Sequence, residues 1–229
     1  MPRIDIKGYI VEDSDKYIYE WLGYTAVCPR DVSQAVERAN GQDLEVFINS
    51  YGGSVWAGSE IYTILKDYNG NVTNKIVGLA ASAASVVSQS AYCEMSPTAQ
   101  MMIHPTQGGA YGDYREVGSA SDSLKVSDQS IRNAYKLKTG LTDERLQELM
   151  DKTTWFSAQQ ALELKFIDKV MFTDNLPQLT NSFQPISREA IEKLRNTIKN
   201  PQNQNNGEAD FLVKQAQARL NLLKLGGSK

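Results

Sequence analysis

Segments typical of buried strands alternate with segments of helical periodicity between residues 44 and 103, and this order constrains the fold more than any other feature. The strand-like runs are residues 44–49, residues 75–79 and a part of residues 94–103. The helical segments are residues 54–68 and the small-residue segment 82–92. Strands and helices in this alternation are the signature of a layered α/β domain. We therefore predict an α/β fold.

Two residues of this region have the chemistry of a serine hydrolase. Ser82 follows directly after the strand predicted at residues 75–79, and His104 is the only histidine in the chain. A serine hydroxyl attacks well at neutral pH only when a base takes its proton, and imidazole is the usual base. The turn at Gly53 and the amide of Ala83 are candidate donors for an oxyanion hole. The alternatives are structural, with Ser82 as a helix N-cap and His104 as a packed residue.

Three motifs, taken in order, resemble the Clp protease proteolytic subunit family. They are the Gly-Gly turn that ends at Gly53, the Gly-Leu-Ala-Ala-Ser segment that ends at Ser82, and the Met-Met-Ile-His segment that ends at His104. The resemblance covers residues 5–172 and implies a Clp/crotonase-like spiral of strand-helix repeats. It also implies that Ser82 is the nucleophile and His104 the general base. The oxyanion hole would then consist of the backbone amides of Gly53 and Ala83.

The third catalytic residue of the family, an aspartate, does not carry over to this chain. Thr153 occupies its position. In a Ser-His-Asp triad the aspartate orients the histidine and stabilises the imidazolium. Without it, we expect a Ser-His pair that is weaker or in which another group supports the histidine. Asp151, two residues earlier, is a candidate substitute. The alternative is that Asp151 only ends an exposed helix.

Substrate contacts are predicted in the segment that follows His104. Gly108, Gly109 and Ala110 leave main-chain groups free to pair with an extended peptide, which predicts broad selectivity. Three side chains near this segment are candidates for the pocket that holds a substrate side chain, namely Met101, Met102 and Tyr111.

The remaining organisation concerns a long helix and a C-terminal extension. Residues 114–140 predict one helix with a narrow apolar stripe, which resembles the handle helix through which two rings of Clp subunits pack; a helix lying on its own domain is the alternative. We predict a protease domain at residues 1–172 and a helical extension at residues 173–229. The extension contains two predicted helices, at residues 187–199 and 209–225, and a polar linker between them at residues 200–207. The resemblance implies a homo-oligomeric ring, a heptamer or a double heptamer.

Composition excludes several classes of function. The net charge is −3 and no basic tract is present, so nucleic acid is not a predicted partner. Cys28 and Cys93 lack metal-ligand spacing and are interpreted as buried free thiols, with a cysteine nucleophile as the weaker alternative; no metal or cofactor is predicted. No apolar run approaches ~20 residues and no signal-peptide core is present. We expect a soluble cytoplasmic protein in a bacterium or a phage-infected host.

The predicted activity is that of a Clp-like serine endopeptidase of the S14 type. Few residues precede the first predicted strand, whereas Clp subunits use such a segment to couple to an unfolding ATPase, so an ATPase partner is in doubt. No nucleotide-binding motif is present. These features, with the Trp-Phe-Ser-Ala segment at residues 155–158, resemble phage and prophage proteases that process capsid and scaffold proteins during head maturation. ATP-dependent protein turnover, an inactive ring-forming scaffold and a crotonase-like acyl-CoA enzyme are the alternatives.

Overall fold

One sheet organises the part of the chain that the structure, a computed structural model, describes: residues 1–173 and Lys214. The strands of this part are β1 (Arg3–Ile10), β2 (Ala26–Val27), β3 (Leu44–Gly53), β4 (Val72–Ala81), β5 (Tyr92–Met95), β6 (Gln100–Ile103), β7 (Thr154–Ser157) and β8 (Lys169–Val170). The helices are α1 (Lys16–Trp21), α2 (Pro29–Ala39), α3 (Val55–Lys66), α4 (Ala83–Val87), α5 (Tyr114–Thr139), α6 (Asp143–Asp151) and α7 (Ala158–Glu163).

The strands pair in the order β2-β1-β3-β4-β5-β8, and β6 joins the sheet by pairing with the last residues of β4. Every pairing is parallel except that of β6 with β7. Helices α2, α3 and α4 lie between successive parallel strands in the chain, as parallel pairing requires crossover connections. The predicted α/β fold is confirmed.

The predicted helix 82–92 is much shorter in the structure, and β5 already begins at Tyr92. The cause is the fully buried Asn74 of β4. Its side-chain amide donates to the Ser88 carbonyl at 3.1 Å and to Ser90 Oγ at 3.0 Å, which holds the chain in a turn after α4. The third predicted strand is accordingly two strands, β5 and β6, which pair with different parts of β4.

Helix α5 corresponds to the long helix predicted at residues 114–140. Asp113 caps its first turn by accepting from the Arg115 and Glu116 amides, and Gly140 ends it with a left-handed φ of 73°. Its buried residues are all in its C-terminal part, namely Ile131, Ala134, Tyr135 and Thr139. The predicted apolar stripe therefore packs on the body only in that part, and the N-terminal half of α5 is largely exposed.

The core fills the space between the sheet and its helices. Ile6, Ile48 and Ile76 of the three central strands are fully buried, and burial of each such side chain contributes about 1.5–3 kcal/mol. On the side of α5, the Tyr135 and Phe166 rings meet edge to face with their centroids 5.6 Å apart. This contact packs the C-terminal part of α5 against the segment between α7 and β8.

The remaining predictions concern membrane spans, metal sites and the C-terminal extension. No helix in residues 1–173 is long and apolar enough to cross a membrane, and no cluster there could hold a metal ion. The predicted helices 187–199 and 209–225 and the linker 200–207 lie outside the described residues, apart from Lys214. The proposed division at residue 172 stays a prediction.

Candidate active site

Ser82 lies at the turn from β4 into α4 with φ 55° and ψ −127°. Such a backbone is strained for a residue with a Cβ, and strain of this kind, about 1–3 kcal/mol, concentrates at functional sites. Although Ser82 stands at the N-cap position of α4, its side chain makes no capping hydrogen bond. The interpretation of Ser82 as a capping residue therefore lacks the bond that defines a cap, and its hydroxyl is available for other chemistry.

Strand pairing brings His104 to the same end of the sheet as Ser82. Strand β6 pairs with β4 in parallel, Ala81 opposite Met102, and the Ser82 amide donates to the Met102 carbonyl at 3.0 Å. His104 is the first residue after β6 and is half-buried. Within residues 1–173, neither the Ser82 hydroxyl nor the His104 ring is engaged in a hydrogen bond. The two groups thus end neighbouring strands without competing partners.

The Gly-Gly turn at the end of β3 contacts the Ser82 turn directly. A Cβ on Gly52 would lie 2.6 Å from the Ala81 carbonyl oxygen and 2.8 Å from the Ala83 nitrogen. Gly52 has φ +92°, and its amide donates to the buried Ser50 hydroxyl at 3.0 Å, which fixes the turn. Only a glycine at this position allows the two backbones to approach so closely.

The predicted oxyanion donors lie at these two turns. Ala83 is the first residue of α4, so its amide has no partner within the helix, and no other backbone acceptor among the described residues binds it. Gly53 follows Gly52 at the end of β3, and the next amide, of Ser54, donates to the Ile10 carbonyl at 2.8 Å. The structure therefore brings together the segments that carry the Gly53 and Ala83 amides.

A groove with a volume of about 320 Å³ lies beside Gly53 and reaches the segment after His104. Thr106, Gln107, Gly108 and Gly109 form one wall, and residues of α3 and α5 also line the groove. A Cβ on Gly108 would lie 3.1 Å from a methyl carbon of the Leu124 side chain, so this wall rests on α5. Ala110 is exposed and is not among the residues that line the groove.

A second cavity, of about 410 Å³, is lined by residues of α3, α4 and α5, and Ala83 is one of them. Apolar side chains such as Trp56, Tyr62 and Leu137 line it together with several serine hydroxyls. None of the side chains predicted to form a pocket is among its lining residues. Met101 is buried in the core and Tyr111 is fully exposed. These pocket candidates stay predictions, and the cavity itself depends on how α5 packs against α3 and α4.

Thr153, at the expected position of the missing aspartate, lies next to the paired ends of β6 and β7. These strands are antiparallel, and Ile103 opposite Thr154 is the last pair of their register. His104 and Thr153 each lie one residue beyond that pair, and Thr153 is in a turn with φ 49°. Asp151 is the last residue of α6 and is exposed, and its carboxylate makes no hydrogen bond or ion pair within residues 1–173. The assignment of Asp151 to the site stays a prediction.

A hydrogen-bond chain from α5 to Ser82 was missed by sequence reasoning. Ser85 Oγ donates to the Ser82 carbonyl at 2.6 Å and lies 2.7 Å from the Tyr135 hydroxyl. Because a serine hydroxyl has one proton, Tyr135 is the donor in the second bond. Burial raises the pKa of Tyr135, so this donor keeps its proton well into the alkaline range. The chain fixes the carbonyl of the strained residue.

Both cysteines are buried, and burial raises the pKa of Cys28 to about 11 and that of Cys93 to about 12. The thiolate is the reactive form, so at about pH 8 both should be inert. We expect iodoacetamide to leave the native protein unmodified by intact-mass analysis, whereas the denatured chain should take up two labels. Fast alkylation of the native protein with loss of activity would instead indicate a cysteine nucleophile.

The fold and the Ser82 turn define a class of parallel α/β proteins that present a serine at a strained strand-to-helix turn, as α/β-hydrolases do. The Clp protease family model matches residues 33–174, more than half of the chain, and the chain belongs to the Clp protease family. The family is one of Clp-type serine proteases, and the earlier resemblance is confirmed at this level.

Two relatives illustrate the similarity. The ATP-dependent Clp protease proteolytic subunit 2 of Thermobifida fusca (strain YX) is 32% identical over 146 residues, which are 61% of this chain and 69% of the relative. A solved structure of a ClpP1 mutant from Listeria monocytogenes superposes with a TM-score of 0.62 at 22% identity. That match covers 74% of this chain and 91% of the other. At this identity the second comparison supports the fold alone.

Proposed function

We propose that the protein is a serine endopeptidase in which Ser82 is the nucleophile and His104 the general base. The observation that carries this proposal is the strained, uncapped Ser82 turn, which is bonded through the Met102 carbonyl to the strand that ends before His104. Family membership supports the same reaction class. A strained backbone together with a hydroxyl that makes no capping bond is what a nucleophilic serine at a strand-to-helix turn would show.

The proposed reaction is hydrolysis of a peptide bond in two stages. Ser82 Oγ attacks the carbonyl carbon while the His104 imidazole takes the hydroxyl proton, and the Gly53 and Ala83 amides bind the oxyanion that forms. The C–N bond then breaks as His104 returns the proton to the leaving amine. A water molecule, deprotonated by His104, attacks the acyl-enzyme, and release of the acid restores the Ser82 hydroxyl.

The substrate in this proposal is an extended peptide in the groove beside Gly53. Gly108 and Gly109 have no side chain, so their main chain is accessible to a strand that pairs along this wall. Main-chain pairing favours broad sequence selectivity. The cavity bordered by Ala83 contributes an apolar wall with hydroxyl groups next to the reacting centre.

We further propose that residues 1–172 form the protease domain, that copies assemble into a ring, and that two rings pack through α5. Family membership supports self-association, and so does the exposure of Val126 and Leu137 on α5. A heptamer or a double heptamer is the expected assembly, with residues 173–229 as an extension.

For the biological role we propose processing of phage capsid or scaffold proteins. The segment at residues 155–158 supports this role, because it resembles that of phage proteases. ATP-dependent protein turnover is the second candidate, and the name of the Thermobifida relative favours it. An inactive ring-forming scaffold is the third, favoured by Thr153 at the aspartate position.

A cleavage assay separates the three roles. The protein is incubated without ATP with the products of its neighbouring genes, including any capsid or scaffold protein among them, and, separately, with an unstructured protein. Specific cleavage of the capsid or scaffold protein supports head maturation. Cleavage that requires an added Clp ATPase supports turnover, and no cleavage together with no fluorophosphonate labelling of Ser82 would show that the protein is a scaffold.

A further inference from the structure

Among the described residues, one hydrogen bond joins the segment 104–112, which begins with His104, to the rest of the protein. The amide of Thr106 donates to Asp128 Oδ1 at 2.5 Å, and residues 104–112 make no other hydrogen bond within the part of the chain that the structure describes. The Thr106 hydroxyl is buried without a partner in the same part. The half-buried Asp128 carboxylate of α5 is therefore the sole polar contact that holds the chain directly after His104.

Asp128 is held in a defined position relative to Ser82. Tyr135 lies seven residues further along α5, on the same face of the helix, and ends the hydrogen-bond chain to the Ser82 carbonyl. One turn after Asp128, Arg132 forms an ion pair of 2.9 Å with Asp143 of α6. Helix α5 thus contacts both parts of the candidate site. Tyr135 bonds to Ser85 beside the Ser82 turn, and Asp128, two turns earlier in α5, bonds to the segment after His104.

We propose that Asp128 is a positioning residue that sets the place of His104 relative to Ser82. This inference rests on the proposed function of Ser82 and His104. Asp128 accepts a hydrogen bond from the Thr106 amide and so fixes the position of Thr106. Only Pro105 separates Thr106 from His104, so fixing Thr106 also restricts where the His104 imidazole can lie. Pro105 strengthens the link because its ring fixes φ and leaves the two-residue connection little freedom. Thr153 stands at the position of the family's aspartate, and the Asp128 contact therefore helps to position His104 through the backbone rather than through its ring.

The inference predicts a difference between two substitutions at one position. Asp128→Ala removes the acceptor, whereas Asp128→Asn keeps a side-chain oxygen that can bind the Thr106 amide. We expect Asp128→Ala to lower kcat for a peptide substrate and the rate of fluorophosphonate labelling by about tenfold to a hundredfold, because small displacements of a catalytic group are costly. The kcat loss should exceed any rise in KM. Asp128→Asn should retain at least about half of the wild-type rate.

Two controls make the test specific. Asp122→Ala removes an exposed carboxylate of the same helix, which pairs with Lys125 at 2.8 Å, and should leave both rates unchanged. Hydrogen exchange of residues 104–112 reports the contact without any activity: exchange should be fast in Asp128→Ala and slow in the wild type and Asp128→Asn. Where Asp128→Ala does not fold, Asp128→Leu tests the same loss of the acceptor with a side chain of similar size.

Several results would overturn the inference. These are wild-type kcat in Asp128→Ala, a change in KM alone, unchanged exchange at residues 104–112, or an Asp128→Asn variant as slow as Asp128→Ala. The last result would mean that the negative charge, rather than the acceptor, is required. If the wild type is not labelled at Ser82 at all, the proposed function fails, and the role of Asp128 in positioning a base fails with it.

Discussion

Ser82→Ala should lower peptide hydrolysis at least about a thousandfold, because it removes the proposed nucleophile, whose turn is bonded to the His104 strand through the Met102 carbonyl. The same variant should lose the single covalent adduct that a fluorophosphonate forms with the wild-type protein, as measured by intact mass. The methyl group of alanine replaces a side chain that makes no capping bond, so the free energy of unfolding should change by less than about 1 kcal/mol.

Ser119→Ala is the matched control for this prediction. Ser119 is an exposed serine of α5, and its loss should leave both hydrolysis and labelling at wild-type values. Labelling that persists in Ser82→Ala would place the reactive hydroxyl elsewhere. Absence of labelling in the wild-type protein would favour the inactive scaffold.

Gly52→Ala should reduce the labelling rate of Ser82 by about a hundredfold or more while the chain still folds. The new methyl group would lie 2.6 Å from the Ala81 carbonyl oxygen and 2.8 Å from both the Ala83 nitrogen and Ser82 Cβ. These are main-chain atoms and a Cβ of the nucleophile turn, which cannot move aside without displacing the Ser82 hydroxyl and the Ala83 amide. Labelling kinetics and a thermal melt measure the two effects separately.

Gly23→Ala separates the clash at Gly52 from the strain of its backbone. Gly23 has a similar φ, +83°, but no atom lies within 4 Å of the position of an added Cβ. It should lose about 1 kcal/mol of stability from the left-handed backbone and keep full activity. Equal losses of activity in Gly23→Ala and Gly52→Ala would mean that global destabilisation, and not the contact with Ser82, explains the effect.

The segments that form the candidate site could be predicted because each is a short motif at the end of a strand-like run of apolar residues. Ser82 follows a strand of apolar residues, His104 ends another, and Gly53 ends a third, so parallel pairing alone brings them to one edge of the sheet. The family motifs added the proposed roles. This part of the prediction needed no knowledge of how helices pack.

The residues that hold the site in place could not be predicted in the same way. Tyr135 reaches Ser85 across 50 residues, and Asp128 reaches Thr106 across 22. Both contacts depend on the position of α5, which is set by packing against Phe166 and α6 rather than by its own periodicity. The antiparallel pairing of β6 with β7, which brings the Thr153 turn to the end of the His104 strand, likewise depends on the path of the chain after α6.

The left-handed backbone at Ser82 makes the folded protein less stable than the same fold with a relaxed turn, by about 1–3 kcal/mol. A glycine at this position would adopt the turn without that strain, and it would lose the hydroxyl. Selection for thermal stability alone would therefore favour loss of the serine, and retention of Ser82 represents a trade-off between stability and activity at one residue. A stabilised variant of this protein is accordingly best sought by substitutions away from the β4–α4 turn.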